Sequence, residues 1–276
     1  MILNSNSPTL KTNGSATLVF FSLRRGSMSR RSAATQEGHN NQSHLQVVNN
    51  KLKIKQEDLK EITPLTINQS KFFDLYRNAQ ILLLHGVAGS GKTYIALYKA
   101  LEEVLHRSTT YKKVVVVRSA VPSREIGHLP GDEKEKAEVY QRPYEEICED
   151  LFGRKDAFSR LQEQNSINFM ITSFVRGITL DDSIIIVDEC QNMSDMELNS
   201  IITRVGNRSK IIFCGDFRQT DLYKKNDLSG LKKFMVILDM MPSARTIEFQ
   251  VNDIVRSSLV KEYIIARMNY EENYVH

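Results

Sequence analysis

The sequence predicts an α/β protein built on one doubly wound, mainly parallel sheet. Three observations predict it: short apolar runs spaced along the chain, helix-periodic segments between them, and a glycine-rich turn joining the first run to the first amphipathic segment. The runs are "ILLL" (81–84), "KVVVV" (113–117), "INFMIT" (167–172), "SIIIV" (183–187), "KIIFC" (210–214) and "RTIEF" (245–249). Short, continuous and β-branched, they suit strands covered on both faces.

The intervening segments carry helix signals. After the glycine turn, Leu97, Leu101, Val104 and Leu105 fall on one helical face. A second helix starts in "SDMELNSIITRV". There Ser194 and Glu197 have capping-box spacing, and Leu198, Ile201, Ile202 and Val205 form the apolar stripe. The chain has no internal repeat, so the βα units make one domain, expected over 51–276. Residues 1–50 are rich in Ser, Asn, Gln and Thr and are expected to be a disordered leader. The first 36 residues hold four arginines and no acid. That composition also suits a transit peptide, or an extension upstream of a true start at Met28.

Composition narrows the function classes. The chain has 276 residues, 41% hydrophobic and 25% charged, with a formal charge of +4. The basic excess sits in residues 1–50, where Lys11, Arg24, Arg25, Arg30 and Arg31 face only Glu37. The remainder is balanced, so any nucleic-acid affinity must come from a local patch. Cys148, Cys190 and Cys214 form no CxxC or Cys/His cluster and read as reduced, mostly buried thiols of a cytoplasmic protein. No apolar run approaches the ~18–20 residues that span a bilayer.

The chemistry begins at "GVAGSGKT", which fits G-x-x-x-x-G-K-[ST] at Gly86, Gly91, Lys92 and Thr93. Glycines let the backbone curl until successive N–H groups face phosphate oxygens, and the next helix adds its positive end. Gly86, Val87, Ala88, Gly89, Ser90 and Gly91 form this loop; Lys92 would reach the outer phosphates and Thr93 would ligate Mg²⁺. "SIIIVDE" ends a buried strand in two acids, where ligands gather in open α/β sheets. Asp188 would hold the magnesium and Glu189 would deprotonate an attacking water. The next strand runs into "FCGDFRQTD", which displays Asp216, Arg218 and Gln219 at the same edge, where an amide can sense the γ-phosphate.

Together "GVAGSGKT", "IIIVDECQNM" and "GDFRQTDL" resemble the PhoH-like family of P-loop ATPases, related to superfamily-one helicases. "VVVRSAVPSREIGHLPGDEKEKAEVYQRPYEEI", "SFVRGITLDD" and "VNDIVRSSLVKEYI" extend the resemblance over roughly 60–268. Two departures stand out. Cys190-Gln191 replaces the usual alanine-glutamine pair, and Ser119 stands where the family often has proline.

The resemblance implies a single RecA-like P-loop NTPase domain of the stand-alone type found in bacteria and their phages, acting in the cytoplasm or a phage's host cytoplasm. It implies that Gln69 contacts adenine, favouring ATP. Lys92, Glu189 and Gln219 would act on the phosphate, and Arg256 would be an arginine finger or a surface arginine at a helix start. Arg118 and Arg176 would touch nucleic acid or a neighbouring subunit, or serve as structural ion-pair partners. One RecA-like domain leaves its phosphate site open on one side. A homo-oligomeric ring, such as a hexamer, with Arg256 supplied by a neighbour would close it. Two functions follow: an ATPase motor on RNA or single-stranded DNA, or a nucleotide-dependent protein assembly switch. A small-molecule kinase fits less well, because a separate glutamate for water favours hydrolysis.

Overall fold

The computed structural model describes residues 53–119, 133–216 and 225–274. The expected leader, Met28 and Gln219 lie outside them.

All six predicted strands form: β1 (Ile81–Gly86), β2 (Lys113–Arg118), β3 (Ile167–Ile171), β4 (Ser183–Asp188), β5 (Lys210–Gly215) and β6 (Ala244–Phe249). They make one sheet of order β3-β2-β4-β5-β1-β6, in which every pairing is parallel. The sheet is therefore wholly rather than mainly parallel. Its C-terminal strand ends lie along one edge, and β5 separates the glycine-loop strand β1 from the acid-bearing strand β4.

Helices cover both faces because alternate side chains of each strand point to opposite sides. Leu82, Leu84, Val114, Val116, Ile184 and Ile186 pack against α1 (Ile67–Tyr76), α2 (Lys92–Val104), α3 (Glu133–Phe152) and α4 (Ala157–Glu163). Leu83, Val115, Val117, Ile185, Val187 and Phe213 pack on the other face, against α5 (Thr172–Val175), α6 (Asp195–Ile202) and α7 (Lys225–Asp239). Each fully buried aliphatic or aromatic side chain contributes about 1.5–3 kcal/mol. Phe213 adds an edge-to-face contact with Phe234, ring centroids 4.9 Å apart.

The two predicted helices form with adjusted ends. In α2, Leu97, Leu101 and Val104 are buried, and Leu105 is the C-cap. In α6, Ser194 is the N-cap in a full capping box with Glu197, and Leu198 and Ile201 are buried. Val205 lies beyond that helix in an isolated bridge with Leu180. The last helix, α8 (Ser258–Tyr274), follows a short turn after β6. Cys148, Cys190 and Cys214 are free and buried, as their apolar settings predict. No helix among the described residues is long and apolar enough to cross a membrane.

Candidate nucleotide site

Three glycines shape the turn between β1 and α2. Gly86, Gly89 and Gly91 all adopt positive φ. Gly86 sits against the end of β6, where an added Cβ would overlap the Phe249 carbonyl. That carbonyl accepts from Val87 N–H at 3.0 Å, which ties the loop to the sheet. Gly91 is the N-cap of α2, and no side chain caps the helix from that position. The positive end of α2 is thus presented with a backbone cap alone, an arrangement suited to an anion.

Lys92 is buried, and its ammonium donates to Gly86 O (3.0 Å), Val87 O (2.8 Å) and Ser90 Oγ (3.2 Å). The Ser90 hydroxyl donates in turn to Val87 O at 2.9 Å. Burial lowers the Lys92 pKa, while Asp216, Cys214, Glu189 and Asp188 pull the other way. Gln69 is also buried, and its amide is engaged at both ends. Nε2 donates to Ser90 O (3.0 Å), and Oε1 accepts from Leu65 N–H (2.8 Å). It therefore braces the loop from α1, with one N–H and one lone pair left over.

Across the cleft, Asp188 ends β4. Its Oδ1 accepts from Thr93 Oγ1 at 2.6 Å, and its Oδ2 accepts from the Tyr144 hydroxyl at 2.8 Å. Glu189 follows in the left-handed region at φ +52°, a turn that carries its side chain out of the strand. Burial, then the adjacent Asp188 charge, raises its pKa. Gln191 Nε2 donates to Glu189 Oε2, while Gln191 Oε1 accepts from Asp216 N–H at 3.0 Å. One amide thus joins the ends of β4 and β5. Gly215 permits the approach, since a Cβ there would lie 2.6 Å from Cys190 Sγ and 2.8 Å from Gln191 Oε1. The cysteine that replaces alanine fits because its neighbour is a glycine.

These groups face one cavity of about 770 Å³, within the range of small-molecule sites. Ala88, Gly89, Lys92, Thr93, Asp188 and Glu189 line it, and Gln69 stands at its wall. Among the described residues no group of three or more His, Cys, Asp or Glu side chains is arranged to hold a metal ion by itself. The residues present fit a magnesium ion shared with phosphate oxygens rather than an all-protein cage: a hydroxyl and a carboxylate oxygen already meet at 2.6 Å beside the phosphate loop.

Arg256 lines the cavity of its own chain. Its Cγ is 2.9 Å from where a Gly89 Cβ would stand, and Val255 N–H donates to Gly89 O at 3.0 Å. Arg118 ends β2 in register with Asp188, its guanidinium over the Tyr140 ring at 5.8 Å. Arg176 stands away from the cavity, its guanidinium 4.0 Å from Met196 Sδ. Sequence reasoning missed Tyr144 as a site residue. Burial first, and then Asp188, raises its phenol pKa well above the ordinary value, so it remains a donor. Only its place in "QRPYEEI" could have drawn attention to it.

A family model described as PhoH-like protein matches residues 61–268. The PhoH-like protein of Bacillus subtilis (strain 168) is 36% identical over 208 residues, covering 75% of this chain and 64% of that one. The PhoH-like protein of Mycobacterium bovis is 33% identical over 244 residues, covering 88% of this chain and 68% of its own. For the Mycobacterium leprae relative the share of its length is 60%, so this chain spans about two thirds or less of such relatives. Among solved structures, the HK97 bacteriophage large terminase aligns over 78% of this chain and 50% of its own, at 14% identity and a TM-score of 0.48. With its parallel α/β sheet and its glycine loop between strand and helix, the chain carries a P-loop, and it belongs to the PhoH-like family.

Proposed function

We propose that this protein binds ATP with Mg²⁺ and hydrolyses it. The Thr93–Asp188 hydrogen bond carries the reading, because it brings the two cation-binding side chains together at the start of α2, beside Lys92 and Glu189. In this reading Gly86 to Thr93 cradle the phosphates, and Lys92 neutralises their outer charge. Thr93 and Asp188 are the residues that would hold Mg²⁺, which when bound supplies charge neutralisation. Glu189 accepts a proton from the attacking water; its raised pKa suits a general base more than an ordinary exposed carboxylate would. Gln69 reads the base with the unused half of its amide, Gln219 senses the γ-phosphate, and Arg256 stabilises charge on the transferred group.

Turnover is coupled to RNA or single-stranded DNA, with the balanced charge of residues 51–276 pointing to a local contact rather than a broad basic face. Polyuridylate or single-stranded DNA should stimulate turnover several-fold at low salt, with the effect fading as salt rises. Glu189→Gln should cut turnover by about 10²-fold or more while nucleotide binding persists. Unchanged turnover in that variant sinks the hydrolysis reading.

A second reading, a nucleotide-dependent assembly switch in which copies of the chain form a ring, is favoured by one feature. Helix α8 exposes Leu259 and Tyr263, 74% and 64% accessible, next to a segment that lines the site. ATP-dependent assembly seen by sedimentation, with turnover indifferent to polynucleotide, selects it.

A further inference from the structure

We propose that Tyr144 is the positioning residue for the divalent cation: its hydroxyl pins Oδ2 of Asp188 so that Oδ1 stays turned to Thr93. The inference rests on the magnesium–nucleotide reading of the same site. A carboxylate at a strand end can rotate about its last torsion and offer either oxygen. Here each oxygen has its own hydroxyl donor, at 2.6 and 2.8 Å, and the two donors come from different elements, α2 and α3. That fixes the carboxylate plane before any cation arrives.

The chemistry of the donors matters as much as their number. Both are neutral O–H groups, so neither donor brings a positive charge to the carboxylate that would hold the cation. Arg118 is in strand register with Asp188 and could have neutralised it. Instead its guanidinium lies over the ring of Tyr140, 5.8 Å from the centroid and one turn before Tyr144 on α3. The Tyr144 phenol proton goes to Asp188 Oδ2.

Tyr144 is held rigidly enough for this role. Its side chain is fully buried and its ring lies 5.6 Å from Phe169 of β3. Outer partners that orient a metal's ligands commonly govern affinity by one to two orders of magnitude. Tyr144→Phe keeps the ring and its packing and removes only the donor.

The test is binding of a fluorescent ADP analogue to the full chain, titrated with Mg²⁺, which needs no turnover. Tyr144→Phe should leave magnesium-free affinity unchanged and raise the Mg²⁺ concentration for half-maximal tightening by about ten-fold or more. An unchanged midpoint in Tyr144→Phe overturns the proposal, as does equal weakening with and without Mg²⁺, which would assign Tyr144 to packing. If Tyr144→Phe does not fold, Tyr144→Met, which also removes the donor, is titrated in its place, and an unchanged midpoint there overturns the proposal. Wild-type binding that ignores Mg²⁺ overturns this proposal together with the reading beneath it.

Discussion

At the scale of single residues, the site divides into groups that local spacing announces and groups that only folding brings in. Gly86, Gly91, Lys92 and Thr93 sit in eight consecutive positions, so their geometry is a property of one turn and can be read from the chain. Asp188 and Glu189 were legible because a buried strand must end before two acids. Tyr144 was not, because its contact with Asp188 spans 44 positions and depends on how α3 crosses the sheet. Gln69 was singled out through the family resemblance alone, and the fold adds that its amide meets the loop backbone. Gly86 offers the sharpest test at this scale. It holds φ +119° against the Phe249 carbonyl, a conformation L side chains rarely adopt, in space a Cβ cannot enter. Gly86→Ala should destabilise the protein by on the order of 3 kcal/mol, measured by urea unfolding. A loss below about 1 kcal/mol would show that the loop can shift away from β6 without penalty.

At the scale of elements, the strands were the easiest to read and α3 the hardest. A parallel strand buried on both faces is a continuous apolar run, and few other structures produce one so short. Helix α3 shows the reverse. Half of its residues are charged, it buries Tyr144, Cys148 and Leu151 on a single narrow stripe, and Pro143 lies inside it. A proline at that depth ordinarily argues for a helix end. Packing of the stripe against β3 and α4 outweighs that local signal. Helix α6 is a case where local signals agree. Ser194 Oγ accepts from Glu197 N–H at 3.3 Å, and the Glu197 carboxylate accepts from Ser194 N–H at 2.9 Å. Glu197 also accepts from Thr172 Oγ1 at 2.8 Å, so the box anchors α6 to the end of β3. Ser194→Ala should therefore cost about 1 kcal/mol, the usual value of an N-cap. Thermal unfolding would check it, and a Thr replacement should recover most of the loss.

At the scale of the whole molecule, what the sequence left open is the order of the strands. Periodicity says that a strand is buried, not which neighbour buries it, so β5 between β1 and β4 had to come from the fold. That order has an energetic consequence. The site is assembled from the loops after β1, β4, β5 and β6, joined by hydrogen bonds that cross from one strand end to another. Thr93 reaches Asp188, Gln191 reaches the Asp216 backbone, and Val255 reaches Gly89. A ligand in this cleft is therefore bound to the folded sheet and has no counterpart in the unfolded chain. By mass action, Mg²⁺ with a non-hydrolysable ATP analogue at 100 times its Kd should add about 2.7 kcal/mol to stability. For a domain of this size, each kcal/mol moves the midpoint by about 2–4 °C, so the melt should rise by roughly 5–10 °C. Because the bound loops reach both cores, calorimetry should show one transition moving as a unit rather than a shoulder separating from it. Lys92→Ala, which removes the charge facing the phosphates, should abolish most of the shift; if it keeps the full shift, the ligand is bound somewhere other than the glycine loop.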